Sequence, residues 1–219
     1  MKKSVKIIIL VLTIVLLGVG LVYRFISNKN NANNTIKVNE DKVEFSKLYD
    51  VDENNVFEKI SADAAIDLLE KGTGILYLGY PKCPWCQDLI PLLNKAAKDN
   101  NIGSIYYIEK FFDMRPDKVE NPKYQEEYNK IIKYIDEYEI KINEKIKEDD
   151  IIKVPLVLFV KNGKIIGYQK GTISGHEITK NENGKYELRD LTDEEKTTII
   201  SKLNSLINKI YSNACSSGC

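Results

Sequence analysis

The chain has 219 residues, and its 32 basic and 32 acidic side chains give a formal net charge of zero. Proteins that bind nucleic acid usually carry a basic face, so this balance argues against nucleic acid as the main partner. The length suits one or two folded domains, and the composition is that of a globular protein without a long low-complexity run.

Residues 1–25 are predicted to form a membrane anchor outside the folded domain. Lys2, Lys3 and Lys6 precede a run of apolar, threonine and glycine residues over 7–23. That run is at the short end for a membrane span and longer than the core of an ordinary signal peptide. The basic residues place the N-terminal end in the cytoplasm, so we expect a single-pass protein of the cell membrane with an extracytoplasmic domain. A cleaved signal sequence is the alternative, and it predicts export as well.

The next segment, 26–45, is rich in asparagine and is predicted to be a flexible linker before a domain over 46–211. The pattern within the domain predicts an outer strand over 56–60, a helix capped by Ser61, a buried strand over 74–79, a helix over 84–99 and a strand over 104–108. This β-α-β-α-β order predicts the α/β class, with a mixed central sheet flanked by helices.

Cys83 and Cys86 form a Cys-Pro-Trp-Cys motif between the buried strand and the helix that follows it. A Cys-x-x-Cys pair in this setting is typical of thiol–disulfide exchange. The unpaired N–H groups and the positive dipole end of the first helical turn should lower the pKa of the Cys83 thiol. Because the thiolate is the nucleophile of disulfide exchange, Cys83 is predicted to attack and Cys86, one turn later, to resolve the mixed disulfide.

The match extends beyond the two cysteines, and the chain resembles the thioredoxin superfamily over roughly residues 55–175. Pro91 stands where thioredoxins carry the proline that kinks the active-site helix, and 153–164 is similar to the family's cis-proline strand and the hairpin after it. The resemblance implies a thioredoxin-like fold with Pro155 in the cis form, facing the cysteines.

The resemblance also implies the substrate-binding residues, which are Trp85, Val154 and Pro155. Some positions depart from the family pattern. Tyr77 stands six residues before Cys83, where many thioredoxins carry a buried acid, so no side-chain base for proton handling is evident. The Pro-Trp pair between the cysteines is nearer to glutaredoxins, and these residues leave the direction of electron flow open. The chain is also similar to the accessory proteins associated with bacteriocin export in Gram-positive bacteria.

Residues 113–152 exceed what a minimal thioredoxin needs before its cis-proline strand and are predicted to be a helical insertion. Tyrosine and isoleucine recur at helical spacing between 124 and 138, which favours a helix that covers one edge of the domain. A face that docks a partner beside the cysteines is the alternative. After the strand over 156–160, Asn162-Gly163 predicts a tight hairpin, and Thr192 with Glu195 predicts a capping box at the start of the last helix.

The tail over 212–219 carries two further cysteines, Cys215 and Cys219. Cysteines of exported proteins usually form disulfides. The tail is therefore either a small local bridge without further role or a second redox pair on a mobile arm, which would exchange with the first pair or with another protein.

Taken together, the sequence predicts an enzyme: a membrane-anchored, extracytoplasmic thiol–disulfide oxidoreductase that acts on disulfides of exported proteins. The expected partners are those substrates and a redox partner protein, without a cofactor or metal. One alternative is a zinc site formed by the four cysteines at 83, 86, 215 and 219. Another is a non-catalytic protein-binding module on a thioredoxin scaffold. His176, the only histidine, is expected to be structural or simply exposed rather than catalytic.

Overall fold

The computed structural model describes residues 42–118, 120–148, 150–180 and 182–211. The predicted membrane anchor, most of the predicted linker and the cysteine-containing tail lie outside these ranges. No helix within the described ranges combines the length and the apolar composition that crossing a membrane requires. The anchor over 1–25 therefore stays a prediction.

The described chain alternates strands and helices and ends in a long helix. Its strands are β1 (Phe57–Lys59), β2 (Gly74–Leu78), β3 (Ile105–Tyr107), β4 (Lys147–Glu148), β5 (Ile151–Ile152), β6 (Leu156–Lys161), β7 (Lys164–Lys170), β8 (Ile178–Lys180) and β9 (Tyr186–Leu188). Its helices are α1 (residues 42–48), α2 (Ala62–Lys71), α3 (Pro84–Asp99), α4 (Pro122–Ile142) and α5 (Asp193–Tyr211), with a short 3-10 helix over Phe111–Met114.

Five of these strands form the central sheet, in the order β1-β3-β2-β6-β7. β3 pairs in parallel with both β1 and β2, whereas β6 runs antiparallel to β2 and β7 runs antiparallel to β6. The predicted mixed sheet is thus confirmed, and β1 lies at its edge as the sequence predicts. β2 occupies the middle of the sheet, so the chain enters the cysteine motif from the most enclosed strand.

The sheet separates two apolar cores, because successive side chains of a strand point to opposite faces. On β2, Ile75 and Tyr77 face a core shared with α1, α3 and α5. Leu76 and Leu78 face a second core shared with α2 and α4. Helices therefore flank both faces of the sheet, and the cysteines belong to the first core.

Several local sequence signals have the predicted effect. The Ser61 side chain accepts the N–H of Ala64 at 3.2 Å and caps α2. Thr192 and Glu195 form the predicted capping box, with each side chain accepting the other residue's backbone N–H. At the hairpin between β6 and β7, Asn162 and Gly163 both have positive φ, 50° and 70°. A side chain at Gly163 would overlap the backbone carbonyl of Glu70, so the turn requires glycine there.

The segment predicted to be an insertion contains the predicted helix, α4, and the aromatic and aliphatic stripe packs in the second core, where Tyr124 and Tyr138 are partly buried. Tyr128, Ile131 and Ile135 are fully buried, and the Tyr128 hydroxyl accepts the N–H of Ile152 at 2.9 Å. The stripe is therefore core and does not form a free docking face. Two small hairpins, β4–β5 and β8–β9, have strands of only two or three residues, too short for an alternating pattern to predict them.

The packed chain begins earlier than the sequence predicts, because residues 42–45, assigned above to the linker, are helical. Phe45 on α1 is fully buried and stacks on Phe57 of β1, with ring centroids 4.2 Å apart. It also stacks on Tyr49 at 4.6 Å. α1 is short and mostly polar, so its apolar pattern is too brief to predict a helix. Its position is set by these aromatic contacts with the sheet.

We expect Phe45→Ala to lower the free energy of unfolding by about 3–5 kcal/mol, the range for truncating a buried phenylalanine. Leu48→Ala on the same helix is the matched control. The Leu48 side chain is 38% exposed, so its loss should cost no more than about 1 kcal/mol. Urea denaturation of both variants measures the difference, and equal losses would contradict the role assigned to Phe45.

Candidate active site

Cys83 lies at the N-terminus of α3, where it acts as the N-cap residue. Its backbone is extended (φ −84°, ψ 116°), and Pro84 follows at the first helical position, where no helical hydrogen bond requires its nitrogen. The Cys83 Sγ accepts the backbone N–H of Cys86 at 3.3 Å. The sulfur thus takes the place of the serine or aspartate oxygen found at ordinary N-caps and meets the positive end of the helix dipole.

This placement lowers the pKa of the Cys83 thiol below that of a free cysteine. The largest cause is a hydrogen bond from the Cys86 thiol, and the backbone N–H groups of Cys86 and Trp85 add to it. Burial and the negative charge of Asp88 act in the opposite direction without reversing the shift. The predicted effect of the helix start is present, but the neighbouring thiol contributes more than the sequence suggested.

The Cys86 thiol has the opposite tendency. Burial and its interaction with Cys83 raise its pKa well above the ordinary value. Both cysteines are free thiols in the structure, and of the two Cys83 loses its proton more readily. This difference is in the direction that the predicted roles of attacking and resolving sulfur require.

Both cysteine residues are buried: Cys83 is 2% exposed and Cys86 is 0% exposed. The lower pKa of Cys83 favours it as the sulfur that reacts first with a second molecule. Any later step at Cys86 takes place in a buried environment, where proton transfer needs a neighbouring polar group.

The loop before β6 brings two of the predicted substrate-binding residues to the cysteines. The Val154–Pro155 peptide bond is cis, as the resemblance implies. The Val154 carbonyl oxygen lies 3.8 Å from the Cys83 Sγ. Pro155, the next residue in the chain, is buried. Residues separated by some seventy positions in sequence therefore meet at one sulfur.

Trp85, the third predicted substrate-binding residue, is held by the loop that follows β7. Its indole N–H donates to the backbone carbonyl of His176 at 2.7 Å. A cleft of about 620 Å³ opens beside the indole, and its other lining residues include Gln169, Thr172 and Lys202. The indole is half-buried, so one part anchors the loop and another lines the cleft.

His176 is structural in this arrangement. Its Nε2 lies 2.7 Å from the Arg189 carbonyl oxygen, and its Nδ1 lies 2.6 Å from the Thr172 hydroxyl. Because a carbonyl only accepts, Nε2 carries a proton and donates to Arg189, and in that neutral tautomer Nδ1 accepts from the Thr172 hydroxyl. Because both ring nitrogens are hydrogen-bonded, His176 holds its loop in place. That loop in turn orients Trp85, and this is the contribution of the only histidine of the chain to the site.

Two tyrosines lie behind Cys86, and only one of them drew attention in the sequence. Tyr77 interacts with the Cys86 thiol, and its hydroxyl lies 3.0 Å from that of Tyr49. Burial raises the pKa of both phenols. The sequence draws attention to Tyr77 because many thioredoxins carry an acid at its position. It gives no such signal for Tyr49, which follows α1, a helix that the sequence does not predict.

Within the described ranges, no group of three or more histidine, cysteine, aspartate or glutamate side chains is arranged to hold a metal ion. Cys215 and Cys219 lie outside those ranges. The four-cysteine zinc site and the second redox pair therefore stay predictions.

No protein-family model matches this sequence, and no curated protein matches it either. The function must be inferred from the site itself.

We expect Cys86→Ala to raise the pKa of Cys83 by at least about one unit, because it removes the thiol that donates to the Cys83 sulfur. A hydrogen bond to a charged group is worth about 1.5–3 kcal/mol, and one pKa unit corresponds to about 1.4 kcal/mol. Cys86→Ser keeps a donor and should restore part of the shift. The rate of Cys83 alkylation by iodoacetamide as a function of pH gives the midpoint, measured with both tail cysteines changed to serine. An unchanged midpoint in Cys86→Ala would leave the helix terminus as the sole cause.

Proposed function

We propose that this chain is a thioredoxin-like thiol–disulfide oxidoreductase, with Cys83 as nucleophile and Cys86 as resolving thiol. The observation that carries the proposal is the Cys83 sulfur at the N-terminus of α3, where it accepts the Cys86 N–H at 3.3 Å. The mixed sheet with helices on both faces and the cis Val154–Pro155 bond support a thioredoxin-like fold.

The first step is attack of the Cys83 thiolate on one sulfur of a substrate disulfide. A bond forms between Cys83 and that sulfur, the substrate S–S bond breaks, and its electron pair leaves on the second substrate sulfur as a thiolate. The lowered pKa of Cys83 increases the fraction of the reactive thiolate at any given pH.

In the second step, Cys86 loses its proton and attacks the Cys83 sulfur. The Cys83–Cys86 disulfide forms, the bond to the substrate breaks, and the substrate leaves as a second thiolate. Two electrons have then passed from the enzyme dithiol to the substrate. Run in reverse from the oxidised pair, the same steps introduce a disulfide into a dithiol substrate, so the geometry supports transfer in either direction.

The substrate chain is proposed to lie against the loop at Val154 and Pro155. The Val154 carbonyl oxygen lies 3.8 Å from the Cys83 sulfur, so a substrate disulfide that reaches this sulfur comes close to the backbone of the loop. An extended chain can bind to such a backbone through main-chain hydrogen bonds. The cleft beside Trp85 offers room for a neighbouring substrate side chain.

The proposed setting is the extracytoplasmic face of the cell membrane, with exported proteins as substrates and a separate protein restoring the redox state of the pair. This part of the proposal is based on the basic residues and the apolar run over 7–23. The side of the membrane on which Cys83 lies can be measured with a radioactive or fluorescent maleimide. Labelling of Cys83 in whole cells is compared with its labelling after lysis.

We expect the domain to catalyse reduction of insulin by dithiothreitol, or oxidative refolding of reduced ribonuclease, and Cys83→Ser to abolish both. Cys86→Ser should still form the mixed disulfide and accumulate it, because the resolving sulfur is gone. Non-reducing gel electrophoresis detects the trapped species.

The matched control is the double variant Cys215→Ser with Cys219→Ser, which leaves the proposed active site intact and should keep the capacity for exchange. Wild-type activity in Cys83→Ser would overturn the proposal. So would stoichiometric zinc in the reduced protein that is lost in the same variant, because the cysteines would then be metal ligands.

A further inference from the structure

We infer that Tyr77 and Tyr49 form a hydroxyl relay that carries the proton of the Cys86 thiol to solvent during the resolving step. The inference depends on the proposed function, because it concerns how the second cysteine becomes a nucleophile. It assigns a proton-transfer role to two residues outside the Cys-Pro-Trp-Cys motif.

The need for a relay comes from the burial of Cys86, which is 0% exposed. The polar side chains that act most strongly on its thiol are Cys83 and Tyr77. In the mixed disulfide, Cys83 is bonded to the substrate and no longer carries the charge that would accept a proton. Of these two neighbours, only the Tyr77 hydroxyl is then available.

The two hydroxyls lie within hydrogen-bond distance of each other, and Tyr77 is the one that interacts with the Cys86 thiol. Tyr77 is 2% exposed and its hydroxyl lies 3.0 Å from that of Tyr49, which is 5% exposed. The rings meet edge to face, with centroids 6.2 Å apart and an interplanar angle of 80°. Tyr49 is thus the least buried residue of the three.

Neighbouring residues hold both hydroxyls in place. A Cβ at Gly79 would overlap the hydroxyl and ring of Tyr77, so the glycine leaves the space that this phenol occupies. The Tyr49 ring is stacked on Phe45, with centroids 4.6 Å apart. The pair is thus positioned by β2, by Gly79 just after this strand, and by α1.

The proton balance of the relay is simple. The Cys86 proton moves to the Tyr77 oxygen, the Tyr77 proton moves to the Tyr49 oxygen, and the Tyr49 proton leaves to water or a buffer base. Both phenols are neutral before and after the transfer. The raised pKa values of the two phenols disfavour a lasting phenolate at either tyrosine. The same path can run in reverse when the Cys83–Cys86 disulfide is reduced.

The test separates the two sulfur steps with dithiobis(nitrobenzoate) as the oxidant. All variants are made in the full chain with Cys215→Ser and Cys219→Ser. Attack by Cys83 releases one coloured thiolate and leaves a mixed disulfide, and attack by Cys86 then releases the second. Stopped-flow absorbance gives the rate of each phase.

We expect Tyr77→Phe and Tyr49→Phe to leave the first phase within about twofold and to slow the second at least about tenfold, which is less than the roughly 100-fold or more that positioned proton transfer typically contributes. The double variant should be no slower than Tyr77→Phe, because the two hydroxyls act in series. The solvent deuterium isotope effect on the second phase should change in the variants, which a merely structural role would not produce.

Tyr128→Phe is the matched control. It removes a buried hydroxyl that accepts the N–H of Ile152 at 2.9 Å, on the opposite side of the sheet, and should alter neither phase. If Tyr77→Phe does not fold, Tyr49→Phe, which is nearer the surface, provides the decisive result.

A normal second phase in a folded tyrosine variant would overturn the relay while the proposed function stands. Equal slowing of both phases would also overturn it, because the tyrosines would then only support the site. Absence of the first phase in the parent protein would instead refute the proposed function.

Discussion

The site depends on one interaction, the hydrogen bond from the Cys86 N–H to the Cys83 sulfur. A cysteine at the N-cap replaces the usual oxygen acceptor, so the start of α3 is satisfied best when that sulfur carries negative charge. Helix formation and thiol ionisation therefore favour each other. The second thiol contributes more to the lowered pKa of Cys83 than the backbone N–H groups do, and burial favours its own protonated form.

The sequence predicted the features that depend on local chemistry. Residues such as Ser61, Thr192 and Asn162-Gly163 act on backbone groups only a few positions away, and each produces the cap or turn expected of it. Strand β2 and helix α3 were equally evident, because a long apolar run and a sustained helical period are strong signals. The position of the cysteine motif followed directly from them.

The contact between Cys83 and the Val154–Pro155 loop was expected through the resemblance, whereas other features that depend on contacts between distant segments were not predicted. α1 is held by stacking between Phe45 and Phe57 rather than by a long periodic pattern, so it was assigned to the linker. Tyr49 was missed for the same reason, since its hydroxyl finds its partner 28 positions away on β2. The structural role of His176 arises from two segments: its own loop, which includes Thr172, and the Arg189 carbonyl.

Gly79 shows how a missing methyl group can matter as much as a functional side chain. Its hydrogen atom leaves room for a phenol oxygen two residues earlier in the chain. A related protein could therefore retain every cysteine and both tyrosines, yet carry alanine here and be unable to seat the aromatic ring in the same place. The identity of this small residue would be a better guide than the cysteines alone to which relatives share the same internal hydroxyl arrangement.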